Sequence, residues 1–159
     1  MILLVIETEN LSKIYENSKG CRDINISVPQ GEIYGFLGPN GAGKTTAMKI
    51  MTGLIKPDSG DVKILEHSIL DEFEQAMKKV GCIIETSESY SYLTAFENLK
   101  QFSRYYKNVD NKRIEEVLEL VGLLKYKNEK PRKFSLGMKQ RLGIAAALLS
   151  RPEVVILDE

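Results

Sequence analysis

The sequence predicts an α/β domain, and three observations carry that expectation. Segments of strand character alternate with segments of helical period, the pattern of a sheet covered by helices. A glycine-rich stretch, Gly38-Pro39-Asn40-Gly41-Ala42-Gly43-Lys44-Thr45, lies between one such strand and one such helix. The apolar run Val154-Val155-Ile156-Leu157, which reads as a strand covered on both faces, ends in Asp158 and Glu159.

A chain of 159 residues falls within the range of one domain with a core of its own. Its apolar share of 43% and charged share of 28% are those of an ordinary soluble protein, so disorder is not expected. Cys21 and Cys82 are far apart and form no CxxC pair, which speaks against a zinc site or a disulfide framework and for a reducing cytosol. The apolar start Met1 to Ile6 is too short to span a bilayer, so a membrane partner has to be a separate chain. Net charge is zero, but Lys100 to Arg141 holds twelve basic against five acidic residues, a local charge of +7. That arm reads first as a solvated helical face, and second as a contact for anionic headgroups or RNA.

Along the chain, Leu3 to Glu9 and Ile24 to Val28 read as short strands from their Ile and Val content and partial alternation. Gly31 to Leu37 reads as a further strand running into the glycines. From Lys44 to Thr52 the pattern is helical, and Gly53 stops it in the C′ position. After the Lys56 to Gly60 turn, Asp61 to Leu65 reads as a strand, Asp71 to Lys79 as a helix and Gly81 to Ile84 as a buried strand. Thr94 to Val121 is helical in period throughout, with Leu99, Phe102 and Tyr106 on one face and Ile114, Val117, Leu118 and Val121 on another. Ser135 opens a last helix, Leu136 to Leu149, which Pro152 separates from the final apolar run.

The stretch from Gly38 matches GxxxxGK[ST] in the strand-to-helix context that this phosphate-binding loop requires. Glycines permit positive φ and close approach, so that successive N–H groups converge on phosphate oxygens at a helix start. Lys44 supplies a mobile positive charge for the outer phosphates, and the Thr45 hydroxyl can take one position on Mg²⁺. At the end of the last strand, Asp158 is placed to hold the metal and Glu159 to polarise an attacking water.

Gly38 to Thr46 (GPNGAGKTT), Phe134 to Leu142 (FSLGMKQRL) and Val154 to Glu159 (VVILDE) together resemble the ATPase subunits of ABC transporters, over essentially the whole chain. The resemblance implies a P-loop NTPase fold: a RecA-like core with N-terminal antiparallel β strands over 1–84 and 134–159, and a helical subdomain over 85–133. It implies ATP and Mg²⁺ as cofactors. Gly38, Asn40, Gly41, Gly43, Lys44, Thr45 and Thr46 would bind nucleotide, with Tyr15 stacking on adenine. Thr45, Glu85 and Asp158 would hold metal, and Lys44 and Glu159 would be catalytic. Ser135 and Gly137 lie in the segment that looks like the LSGGQ signature, with Leu136 and Met138 departing from it. In the family that segment closes over the γ-phosphate held by a second subunit, in a head-to-tail dimer.

Glu85 stands where most of the family has glutamine. With SLGMKQRL and Leu93-Thr94-Ala95-Phe96-Glu97-Asn98-Leu99, this resembles the bacitracin-resistance and lantibiotic-immunity exporters. The implied role is a cytoplasmic ATPase on the inner face of the membrane, powering export through a separate permease, with no nucleic acid partner. A soluble ABC-type ATPase acting on ribosomes or nucleic acid is the alternative. The family's later elements, a D-loop, a switch histidine and further core strands, do not follow Glu159, so the C-terminal part is expected to be missing and the 159 residues alone to lack turnover. His67 is expected to be structural.

Overall fold

The computed structural model describes residues 3–16, 18–85 and 89–158. Two compact units emerge, Met1–Val80 with Asp158 and Gly81–Leu157 with Glu159.

In the first unit, β1 (Leu4–Ile14), β2 (Gly20–Pro29), β3 (Ser59–Ile64) and the short β4 (His67–Ser68) form an antiparallel sheet in the order β2-β1-β3-β4. Both early strands run longer than their apolar residues alone predict, because ladder bonds carry polar residues along. In β1 the register shifts between Thr8 and Leu11, where Asn10 adopts φ 48°, the local kink of a bulge. The buried Thr8 hydroxyl donates to Ile24 O at 2.9 Å and accepts from Ile26 N at 2.8 Å. Leu11, Val62 and Ile64 are completely buried, each stabilising the unit by about 1.5–3 kcal/mol.

Helix α1 (Lys44–Met51) buries Ala47, Ile50 and Met51, a single face at helical spacing. It ends as its sequence predicts. Gly53 lies at φ 68°, its N–H bonds to Ile50 O, and Leu54 N–H bonds to Lys49 O, the two bonds of a Schellman cap. Helix α2 (Phe73–Met77) is shorter than expected. His67 lies in β4 with Nδ1 3.3 Å from a Glu72 carboxylate oxygen.

The stretch Gly31 to Leu37 is not a strand. Among the described residues no strand pairs with it, Ile33 is fully exposed and Leu37 is 90% exposed. Its Ile, Tyr, Phe and Leu content signals a strand, but a strand exists only through a neighbour that takes its N–H and C=O groups.

In the second unit, β5 (Val80–Ile83), which enters it from Gly81 on, pairs with β6 (Val154–Leu157). Val154 and Ile156 are buried while Val155 and Leu157 are exposed, so β6 is covered on one face and not on both as its unbroken apolar run predicts. Three helices, α3 (Ala95–Ser103), α4 (Asn111–Leu120) and α5 (Leu136–Leu148), enclose a core of Leu99, Ile114, Val117, Leu118, Leu123 and Leu142. The helical period of Thr94 to Val121 is interrupted. The Ser103 hydroxyl turns back to Lys100 O at 2.9 Å as α3 ends, and Asp110 starts α4 by accepting from Arg113 N at 2.8 Å. Thr94 and Glu97 form a reciprocal capping box on α3, and the Ser135 side chain caps α5. No described helix is long and apolar enough to cross a membrane.

Candidate functional site

The glycine loop leads directly into α1, with Gly43 as the N-cap at φ 87° and ψ 11°. As a glycine it has no side chain with which to cap the helix, and the first turn contains no acid. By contrast, α3, α4 and α5 each start on a Thr, Asp or Ser oxygen that accepts a backbone N–H. The first amides of α1 are therefore offered outward, at the positive end of the helix dipole, from a loop whose Gly38 to Ala42 are exposed. Such an end is suited to an anion.

The Lys44 ammonium folds back over the loop and donates to Gly38 O at 2.8 Å and Pro39 O at 3.0 Å. With Ala42 N–H bonded to Pro39 O at 3.1 Å, the loop is closed into a compact turn around the lysine stem. An entering phosphate would exchange two neutral carbonyls for an anion on the same ammonium, adding direct charge–charge attraction to bonds that the ammonium already strengthens. Thr45 and Thr46, in the first turn of α1, are half-buried.

The hairpin of β1 and β2 abuts this loop. A Cβ on Gly43 would lie 2.1 Å from Gly20 O and 3.0 Å from the Cys21 Cβ, so the two backbones meet with no room for a side chain. Gly20 pairs with Ile14, and Tyr15 follows at the hairpin tip, 42% exposed. Asp58 fixes this end: its carboxylate accepts Ile14 N–H at 2.8 Å and the Lys13 ammonium at 2.6 Å. Those bonds, the backbone one foremost, hold the Asp58 carboxyl below its ordinary pKa. Burial pushes the Cys21 thiol up, which leaves it a neutral packing group beside the loop.

The remaining residues singled out by sequence fall as follows. Asp158 is buried at the end of β6 and belongs to the first unit together with Thr45. Glu85 is exposed at φ 66° just after β5, in the second unit. Glu159 lies outside the described residues. Ser135 and Gly137 are exposed at the start of α5; Ser135 Oγ accepts Met138 N–H at 3.3 Å, and a Cβ on Gly137 would meet nothing within 4 Å. The surface there is open to another molecule.

Residues that sequence reasoning passed over also shape these surfaces. Asn98, fully buried, accepts Tyr90 N–H at 2.7 Å and donates to the carbonyls of Thr94 at 2.8 Å, Tyr90 at 3.1 Å and Leu93 at 3.4 Å. It fixes the loop that presents the exposed, tilted ring pair Tyr90 and Tyr92, with centroids 5.8 Å apart. A buried amide on an apolar helix face was the available signal. Arg113 and Arg141 each reach carbonyls of a distant helix end, and no sequence spacing announces such partners.

The chain resembles known proteins along nearly its full length. It is 49% identical to the bacitracin transport ATP-binding protein BcrA of Enterococcus faecalis over 155 residues, 98% of this chain and 50% of that protein. It is 39% identical to the lantibiotic transport ATP-binding protein SrtF of Streptococcus pyogenes, over 98% of this chain and 66% of that protein. A solved dimeric ATP-binding cassette in a post-hydrolysis state bound to ADP and Pi superposes with a TM-score of 0.82 at 28% identity, covering 97% of this chain and 73% of the other. The chain spans about half the length of the first curated relatives it matches. With residues 21–159 matching the profile described as ABC transporter, the chain belongs to the ABC transporter family.

Proposed function

We propose that the protein containing this chain is the ATP-binding subunit of an exporter of a small molecule or peptide antibiotic, hydrolysing ATP to drive a separate membrane permease. The observation that carries this reading is the start of α1: an uncapped, acid-free helix end behind Gly43, with the Lys44 ammonium held over an exposed loop. The bacitracin and lantibiotic transport relatives support the substrate class.

In this reading residues 1–84 and 134–159 form the nucleotide-binding core and 85–133 the helical subdomain. The amides of Gly41, Gly43, Lys44, Thr45 and Thr46 receive the phosphates, with Gly38 and Asn40 shaping the loop, and Tyr15 at the hairpin tip stacks on the base. Lys44 leaves its carbonyls for the outer phosphates. Thr45, Asp158 and Glu85 are oxygen donors suited to magnesium, which supplies charge neutralisation between the phosphates when bound. Glu159 takes the proton of the attacking water. Ser135 and Gly137 face the γ-phosphate held by a second copy of the subunit, in a head-to-tail dimer at the cytoplasmic face of the membrane. Nucleic acid has no part in the cycle.

Isothermal titration of Mg-ATP tests the reading. The parent is expected to bind, and Lys44→Ala to weaken binding by about tenfold or more, since a charge-assisted contact is worth about 1.5–3 kcal/mol. Absence of binding by the parent, or equal binding by the variant, refutes it. Glu159→Gln is expected to keep binding and lose turnover; unchanged hydrolysis by that variant removes Glu159 from its role.

A further inference from the structure

Helices α4 and α5 exchange arginines. From the first turn of α4, Arg113 donates through Nη2 to Leu148 O at 2.5 Å and through Nε to Leu149 O at 3.2 Å. These are the last helical residue and the C-cap of α5. From the second turn of α5, Arg141 donates through Nη1 to Val121 O at 3.3 Å, the C-cap of α4, and through Nε to Gly137 O at 3.4 Å. Each guanidinium thus reaches the negative end of the other helix, at two carbonyls for Arg113 and one for Arg141, with Leu148 O also accepting Arg151 N–H at 3.2 Å. Glu116 closes the arrangement: its carboxylate accepts from Arg113 Nη1 at 3.4 Å and from Arg151 Nη2 at 2.8 Å, beyond the end of α5.

The two sides are unequal. The Arg113 side chain is only 13% exposed and makes a short bond, whereas Arg141 is exposed and its bonds are long. Charge-assisted bonds weaken with length and with water around them, so Arg113 dominates. Its fork fixes α5 at the C-terminal end. At 1.5 Å per residue the helix is a rod of about 20 Å, so a slide or roll at Leu148 is transmitted to Ser135 and Gly137 at the other end. The same carbonyls precede the Ser150 to Glu153 connection into β6.

We propose that Arg113 is a positioning residue for ATP hydrolysis: gripping the last carbonyls of α5, it sets where the Ser135 and Gly137 end meets the phosphate on a second copy. The inference rests on the transport-ATPase reading above. The Arg113 guanidinium is engaged by Leu148 O, Leu149 O and Glu116, so its loss is expected to affect the closed dimer and not the first binding of ATP.

Arg113→Gln and Arg113→Lys in the full-length protein test this. A lysine keeps the charge but offers a point donor in place of the planar fork. For the glutamine variant, kcat is expected to fall about tenfold or more, because displacements near 1 Å cost at least this much, while the Kd for ATP stays within about twofold. The lysine variant should be intermediate. Amide exchange over 136–140 should speed up in both, with Arg141→Lys showing the smaller effect. A folded Arg113→Gln protein with parental kcat and parental exchange over 136–140 overturns the proposal. Equal loss of ATP affinity and kcat also overturns it, as the mark of general destabilisation. Where Arg113→Gln does not fold, Arg113→Lys is judged by the same readouts. A parent that binds no ATP sinks the transport reading alone; the exchange of 136–140 still decides whether the fork holds α5, unchanged exchange counting against it.

Discussion

Alanine at Gly43 and at Gly41 separates two ways in which the phosphate loop depends on glycine. Both positions are left-handed, φ 87° and 82°, and that conformation costs an L-residue about 1–2 kcal/mol. Their surroundings differ. A Cβ at Gly41 meets nothing within 4 Å, whereas one at Gly43 falls 2.1 Å from Gly20 O and 3.0 Å from the Cys21 Cβ. Relaxed C···O contacts begin at about 3.3 Å, so the hairpin and the loop have to part by about 1 Å. Forced overpacking of this kind costs about 1–3 kcal/mol. Gly43→Ala is therefore expected to lose about 1–3 kcal/mol more than Gly41→Ala, a difference of about 2–12 °C in Tm for a domain of this size. Thermal unfolding of the two variants, followed by circular dichroism in one buffer, measures that gap. Melting points within about 1 °C of each other would show that the approach of Gly43 to Gly20 does not constrain the fold, and the reasoning fails.

Asn98→Leu removes four hydrogen bonds from a fully buried site. At about 1 kcal/mol net each, less for the 3.4 Å bond, urea denaturation should register a loss of about 2–4 kcal/mol; a change of a few tenths contradicts the hub. Asp58 gives a pH signature. Its folded pKa is lowered by the Ile14 N–H and by Lys13, so its stabilisation is complete above the unfolded carboxylate pKa and is lost as pH falls through the folded value. The Tm deficit of Asp58→Asn should therefore be largest near neutrality and vanish in strong acid, and a deficit independent of pH excludes the assignment.

The features legible in the sequence are those whose physics is local. Gly43 and Gly53 occupy left-handed positions at the two ends of α1, and Ser135 caps α5 as its place before Leu136 indicates. The boundaries of β6 follow from Pro152 and from the end of the apolar run. What escaped the sequence depends on distant partners. β4 went unread because its turn carries Leu65 and Glu66 at positive φ, where Asn-Gly is the usual signal. The break at Arg104 to Asp110 is hidden by a helical period that continues across it. The Arg113 fork spans 35 positions, and Gly31 to Leu37 has every local mark of a strand except a neighbour.

The approach of Gly43 to Gly20 bears on how the glycine loop is held. The described contacts of the loop lie downstream, at the first turn of α1 and at the carbonyl of Gly20. A side chain at Gly43 would have to push the loop and the hairpin apart, so the two backbones hold one another at a distance that only glycine allows.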